Sequence, residues 1–413
     1  MTFRELSKEE FDKFAINHIP NSPYQMSAYG DTMMTQKFAT CYLGILDGDT
    51  IKGATMIMVK NVSKFKYGYA PRGYLIDYLD KPLLEEFTKN LRKYLNSKGI
   101  VAIKINPLVV KNIYDSNYNL IASNPEYDTI YNNLKELNHA HLGYNNYFEA
   151  FKPRHEAMIE LNSNYFTLFQ NMSKTFKTKV RSAENSGVRI HKGTFNDIKT
   201  LYEQAKGKYP RDFKYYEELY NNFNKDGLVD IYYAKVDLDV YLKKNQSEFV
   251  EIERYANNIN DEVLKNRGKG HQRLLTKKMA SDKRLAAAKE KLSNAIDLMA
   301  KFPDGITIAT VLVIKTHNTI TIMLDSYDKK YTSFNAKHLI IWKLMEKFSK
   351  EGYHLFNLGG IVSKVSKDDK YSGLNNYKLG FGSKVYEYIG DLEFITNKPL
   401  YLMYKNSGNL FKK

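Results

Sequence analysis

The sequence holds one cysteine, one tryptophan and no long apolar run. The single Cys41 excludes an intramolecular disulfide framework and any zinc or iron–sulfur site built from cysteines, which fits a reducing cytoplasm. No stretch reaches the roughly 18 apolar residues of a membrane span; the longest, ITIATVLVI, is strand length. The opening MTFRELSKEEFDKF has no basic region followed by an apolar segment, so no signal peptide is predicted. The expected location is cytoplasmic, with membrane contact only at the periphery. Also missing are a Walker lysine loop, His-Glu-x-x-His and a Gly-x-Ser-x-Gly elbow, which leaves nucleotide hydrolysis, zinc proteolysis and α/β-hydrolase chemistry without support. No metal is expected. His139 and His141, the only close histidine pair, sit in a polar stretch that reads as exposed loop.

Acidic residues are also in deficit. Lys and Arg number 62 against 46 Asp and Glu, a net charge of +16, which favours a polyanionic partner: RNA, a phosphorylated substrate or an anionic membrane face. A length of 413 residues is too great for one ordinary core and suggests two units, or one duplicated unit carrying an insertion.

Periodicity supports the duplication. ATCYLGILDGDTIKGATMIMVKNV is a β-hairpin around Asp47-Gly48-Asp49; KFKYGYAPRGYLID reads as a strand, KPLLEEFTKNLRKYLNSKG as a helix closed by Gly99, and IVAIKINP as a strand. The same order returns in LVDIYYAKVD, GITIATVLVIKT, NTITIMLDSY, the helix NAKHLIIWKLMEKFSKEG and YHLFNLGG. Where the first copy has a short turn, the second inserts Leu238 to Phe302. Leu242, Asn245, Phe249, Ile252, Ala256, Ile259 and Val263 keep a 3,4 spacing on the way out, and Leu285, Ala288, Leu292, Ala295, Met299 and Phe302 on the way back. This predicts an antiparallel helical arm projecting about 40 Å, with NRGKGH at its tip. Lys265, Arg267, Lys269, Arg273, Lys277 and Lys278 surround that tip and suit a nucleic-acid backbone; a solvated face used for dimerisation is the alternative.

The predicted fold class is α/β: two acetyltransferase-like (GNAT-type) subdomains in one globule plus a coiled-coil arm. The subdomains are placed at 1–150 and at 151–237 with 303–395, the arm at 238–302, and a C-terminal segment, 396–413, returning to the first subdomain. Neither copy has the glycine turn that cradles the pyrophosphate of acetyl-CoA: DSYDKKYTSFNAKH, before the second-copy helix, offers no glycine. Free CoA is therefore not the expected donor, and no cofactor is assigned.

Two further stretches carry candidate chemistry. NMSKTFKTKVRSAENSGV sets Lys174, Lys177, Lys179 and Arg181 along a mixed basic helix, by default a solvated face. In KGKYPRDFKYYEELYNNF, Arg211 and Tyr215 are four apart, which would place them on one helix face, suited to holding phosphate and stacking on a sugar or base. Near the C-terminus, NYKLGFGSKVYEYIGD alternates like a strand and includes Lys378, which such a strand leaves unexplained.

Taken together, PYQMSAYGD, APRGYLIDY, AIKINP, SKTFKTKVRSAENSGV, YPRDFKYY, the arm, FNLGG, NYKLGFGSKVYEYIGD and NKPLY give the chain a resemblance to the Fem/MurM family of non-ribosomal peptidyltransferases. The resemblance implies transfer of an amino acid (glycine, alanine or serine) from aminoacyl-tRNA to the stem peptide of a peptidoglycan precursor. Lipid II at the cytoplasmic membrane face is the favoured acceptor, the UDP-linked pentapeptide the close competitor, and related bridge-forming transferases are potential partners. It also implies that Tyr377 and Lys378 are the family's aromatic–lysine pair, with Lys378 stabilising the oxyanion, and that Arg211 and Tyr215 hold phosphate. Departures from the pattern fall at Tyr29 in place of a tryptophan and Met33 in place of a precursor-binding lysine, for which Lys37 is the nearby substitute. Asn106 stands for the usual aspartate, and Ile322 and Leu324 for tyrosines. The rival readings are a CoA-dependent N-acyltransferase and a non-enzymatic basic coiled-coil protein binding RNA or membrane.

Overall fold

The computed structural model describes residues 1–144, 152–162, 164–266, 268–363 and 369–406. In chain order the strands are β1 (Thr2–Glu5), β2 (Ala39–Asp47), β3 (Thr50–Val62), β4 (Phe65–Ala70), β5 (Ile100–Ile105), β6 (Val110–Tyr114), β7 (Leu120–Ser123) and β8 (His139–His141). They continue as β9 (His155–Glu160), β10 (Val188–Lys192), β11 (Val229–Val236), β12 (Ile306–Lys315), β13 (Thr319–Tyr327), β14 (Leu355–Ile361), β15 (Lys384–Tyr388) and β16 (Leu392–Ile395). Among the described residues they form two sheets, ordered β1-β2-β3-β4-β5-β16-β8 and β10-β11-β12-β13-β14-β9-β15-β6-β7.

Each sheet contains the predicted unit: an antiparallel hairpin, a third strand, a crossover helix and a parallel fourth strand. In the first unit the crossover helix is Lys81–Ser97. Asp80 caps it by accepting from the Leu83 N–H at 3.0 Å, and Leu84, Phe87, Leu91 and Leu95 bury its inner face. Gly99 ends it at φ +70°, a conformation that costs a residue without a side chain little. In the second unit the equivalent helix, Ala336–Lys350, buries residues more widely around its circumference, from Leu339 to Phe348.

The subdomains are interlocked. β6 and β7, from the first 150 residues, lie at one edge of the second sheet, and β16 passes back into the first sheet beside β5 and β8. A shared core joins Met56 and Tyr69 of one half to Leu219, Phe223 and Leu312 of the other. The C-terminal helix Lys398–Asn406 sets Tyr401 and Tyr404 against Tyr67 and Val101 of the first sheet.

The arm consists of helices Leu238–Lys265 and His271–Lys301, packed along Asn245, Ala256 and Ile259 on one side and Ser281, Ala288 and Ala295 on the other. The small side chains of Ala256, Ser281, Ala288 and Ala295 let the two helices approach closely. No helix among the described residues is long and apolar enough to cross a membrane.

Two local expectations are corrected. His139 and His141 are not in an exposed loop: they form β8 against β16, with His139 buried and its ring stacked on Phe394. The stretch around Lys378 is not one strand. Ser372–Leu379 is a helix, Gly380 to Ser383 a turn, and only Lys384–Tyr388 a strand.

Candidate active site

β13 and β14 run side by side only from Thr319 opposite Leu355 to Thr321 opposite Asn357. Beyond that, β13 stays with β12, while β14 follows β9 across a break in register between Asn357 and Gly360. The parted strands enclose a cavity of about 330 Å³ lined by Ile322, Met323 and Asp325 on one side, Leu358, Gly359 and Gly360 on the other, and Lys378. Backbone groups freed from the ladder need other partners. Asn357 Oδ1 accepts from the Gly359 N–H at 2.7 Å, and Lys378 Nζ donates to the Gly360 carbonyl at 2.8 Å.

The helix Ser372–Leu379 is what delivers Lys378. Its second turn is anchored by the buried Asn375, whose side chain donates to Tyr118 Oη at 2.6 Å and to the Val362 carbonyl at 3.1 Å. Gly359, at φ +82°, leaves room for the lysine, since a Cβ there would lie 3.3 Å from Nζ. Burial pulls the Lys378 pKa down to about 8; Asp325 and Glu156 oppose that fall, while Lys208 and Lys337 add to it. Near neutral pH most of the lysine is still an ammonium.

Asp325 is the carboxylate of this cavity. Its Oδ1 accepts from Lys208 Nζ at 2.8 Å and from Tyr209 Oη at 3.0 Å. Burial would raise its pKa, but Lys208, Lys337 and Lys378 more than offset this and hold it down to about 2. It is a permanent anion, not a proton shuttle. Tyr377 stands behind the cavity, packed against Phe176, His338 and Phe381. Its hydroxyl donates to the Lys337 carbonyl at 3.1 Å, and the Lys337 ammonium lies 4.1 Å from its ring and 4.2 Å from that of Tyr327.

Arg211 and Tyr215 meet, but not by sharing a helix face. Asp212 caps the helix Phe213–Asn224, accepting from the Tyr215 N–H at 3.0 Å, so Arg211 lies before the helix and folds its guanidinium over the buried Tyr215 ring, 5.5 Å from the centroid. Asn106 lies outside the cavity of Lys378. It is buried beyond the end of β5, accepts from the Arg72 N–H at 2.8 Å and donates to Tyr69 Oη at 2.9 Å and to Asp391 at 3.1 Å. Lys37 is exposed at φ +62° after a short turn and does not line the cavity. Ile322 lines it and Leu324 faces the core, at the positions where the resemblance implies tyrosines.

At the arm tip Lys265, Lys269, Arg273 and Lys277 are exposed, and Lys278 pairs with Asp282 at 2.7 Å; Arg267 lies outside the described residues. On the basic helix Lys174–Asn185, Lys177 donates to the Gln170 carbonyl and Arg181 lies over the Phe169 ring. Ahead of the helix Ala336–Lys350, where a pyrophosphate turn would belong, stands a tight turn, Lys329–Phe334, with Tyr331 and Phe334 buried. A larger groove of about 760 Å³ beside β10 shares no lining residue with the cavity of Lys378.

The prediction from sequence missed Asp325, Lys208, Lys152, Arg72 and Glu156. Arg72 and Glu156 form a buried pair at 2.7 Å, and Asn357 donates to the second Glu156 oxygen at 2.9 Å. A signal for Asp325 was available: it is the one carboxylate in the apolar strand TITIMLDSY.

A model of the FemAB family matches residues 6–407. Similar proteins include a lipid II:glycine glycyltransferase of Staphylococcus haemolyticus, 23% identical over 411 residues, spanning 96% of this chain and 93% of that protein. The aminoacyltransferase FemA of Staphylococcus epidermidis is 22% identical over 422 residues, with both chains covered completely. The crystal structure of FemX matches the fold with a TM-score of 0.77 at 20% identity, over 98% of this chain and 99% of that one.

Proposed function

The chain belongs to the FemAB family, and from that premise we propose that it is an aminoacyltransferase of peptidoglycan bridge formation. It takes glycine, alanine or serine from aminoacyl-tRNA and joins it to the stem peptide of lipid II. The name of the glycyltransferase relative supports this acceptor, and that of FemA supports aminoacyl transfer. The observation that carries the chemistry is the Lys378 ammonium held in the opening between β13 and β14.

In this reading the stem-peptide amine attacks the aminoacyl ester carbonyl. A C–N bond forms, the ester C–O bond breaks, and the proton lost by the amine leaves with the ribose hydroxyl of the tRNA. Negative charge grows on the carbonyl oxygen before the ester breaks. Lys378 stabilises it from a fixed position, so little reorganisation is needed at the transition state. Asp325 contributes at a distance by holding the proton on Lys378 against burial. The exposed cations at the arm tip supply contacts for the tRNA backbone, and a net charge of +16 draws the protein to the anionic inner face of the membrane.

The test is mass spectrometry of lipid II and of the UDP-linked pentapeptide after incubation with the protein, a mixed tRNA pool, its synthetases and each amino acid in turn. A gain of one aminoacyl residue on lipid II is expected. No gain on either acceptor with any amino acid sinks the proposal.

A further inference from the structure

The C-terminal helix Lys398–Asn406 is apolar on two faces. At its start Asn397 Oδ1 accepts from the Leu400 N–H at 3.1 Å. Tyr401 and Tyr404, one turn apart, pin it to the first sheet, where the Tyr404 ring stacks on that of Tyr67 at 5.3 Å. The side turned away from the sheet should then be polar, as on an ordinary surface helix. Instead it presents Leu402, 60% exposed, Met403, 50% exposed, and Leu400, 38% exposed. The helix contains no acidic residue.

Lysines surround this face. Lys398 and Lys405 stand exposed at the two ends of the helix. Lys60 lies opposite Tyr67 in the ladder of β3 with β4, which puts it on the sheet face that the helix covers. Lys64 is 5.6 Å from the ring of Phe65, which itself packs edge-on to Tyr404. None of the four forms an ion pair among the described residues. The carboxylates of this region are already held: Glu393, buried under the helix, accepts from the Tyr67 and Tyr401 hydroxyls, Asp391 pairs with Lys104, and Glu5 with Lys98. The arm exposes apolar side chains too, but Val250 and Leu264 sit on a helix that mixes them with Glu248, Glu251 and Glu262.

The surroundings select the occupant. Two copies of this face brought together would set lysines against lysines with no carboxylate between them, which disfavours a self-interface. An anionic bilayer meets both features at once: the apolar side chains enter the boundary between headgroups and acyl chains, and the lysines rest on lipid phosphates. We propose that the outer face of Lys398–Asn406, with Lys60 and Lys64 beside it, docks the protein on an anionic phospholipid surface. The use of the contact rests on the lipid II reading above, since it would hold the enzyme at the membrane that carries its acceptor.

The test is co-flotation with vesicles of phosphatidylglycerol and phosphatidylcholine at low salt. Wild type should float with them and not with phosphatidylcholine alone. Replacing the apolar anchors, Leu402→Gln with Met403→Gln, should lower the partition coefficient at least about tenfold, and Lys398→Gln with Lys405→Gln several-fold. Both pairs are exposed and glutamine suits a helix, so both variants should melt with wild type. Phe166→Gln, which removes a side chain 62% exposed on the helix Tyr165–Asn171, is the control and should change nothing. In the transfer assay the Leu402→Gln, Met403→Gln variant should raise KM for lipid II in the same vesicles about tenfold and leave KM for the UDP-linked pentapeptide unaltered. The proposal is overturned if wild type ignores the anionic vesicles, if the anchor variant floats like wild type, or if Phe166→Gln loses as much. It is also overturned if light scattering shows the anchor variant dissociating an oligomer while vesicle binding persists, which would make the face an interface between copies. Vesicle binding that depends on Leu402 and Met403, in a protein that transfers nothing to any acceptor, would leave the docking face standing and remove the transferase reading instead.

Discussion

In the first unit β4 and β5 stay paired from Lys66 opposite Ile100 to Ala70 opposite Ile105, with a register shift only after Lys66. Asn106 then ties the end of the pair together through Tyr69 and the Arg72 N–H. In the second unit β13 and β14 part after Thr321 opposite Asn357, and the space between them is filled by side chains that need not be there for packing: Asp325, Lys378 and the approach left by Gly359. The two units share an order of elements, yet one is sealed and the other open. A sealed parallel pair contributes only core, whereas an open one exposes backbone groups and gives a cation a fixed place beside a cavity. In the proposed reading, one half serves stability and the other chemistry.

The largest expected effect comes from emptying the open pair. Lys378→Met should lower the single-turnover rate of aminoacyl transfer by about 10² to 10³, with the melting temperature within a few degrees of wild type. If Lys378 served only the Gly360 carbonyl, the melt would shift and the rate would not. Closing the opening from the backbone side comes next. Gly359→Ala puts a Cβ about 3.3 Å from Lys378 Nζ at a φ of +82°, so it both strains the strand and displaces the ammonium. A roughly tenfold loss in the same assay is expected, as displacements of that size cost.

Asp325→Asn sharpens the electrostatic part. Asp325 raises the Lys378 pKa, so removing its charge lowers that pKa further from about 8. The ammonium is then lost at a lower pH. Activity at pH 7.5 should fall a few-fold and return toward wild type at pH 6.5, whereas a purely structural loss would be the same at both. The smallest effect on activity belongs to the sealed pair. Gly68→Ala drives a Cβ to 2.6 Å from the Ile103 methyl and should cost stability by about 1–3 kcal/mol in urea unfolding, leaving kcat and KM intact.

Much of this arrangement could be read from the chain. The hairpins, the two crossover helices with Gly99 and Gly352 at their ends, and the arm all have local periodicity and local caps, which a sequence displays directly. Lys378 stands out in the sequence as anomalous, but its helix does not. Tyr377, Leu379 and Phe381 mimic a period of two because a turn falls between Leu379 and Lys384, and the helix is short enough to depend on Asn375 reaching Tyr118 and Val362. The spacing of Arg211 to Tyr215 suggests a shared helix face, but the Asp212 cap starts the helix only after Arg211. His139 looked exposed because its neighbours are polar, while the strand that buries it comes some 250 residues later. Lys152 and Glu156 lie in one short stretch, but Asp325 comes from far along the chain, and no local pattern could bring it to their cavity.

The most direct measurement is the single-turnover rate of wild type divided by that of Lys378→Met, taken from pH 6.5 to 9.5 with lipid II and charged tRNA. Dividing by the variant cancels the titration of the attacking amine and leaves the contribution of the ammonium alone. That ratio should be large and flat below pH 7 and fall toward one as pH rises through about 8, where Lys378 loses its proton. A ratio near one throughout, or one that does not change with pH, would contradict the assignment of the transfer chemistry to the Lys378 ammonium in the opening between β13 and β14.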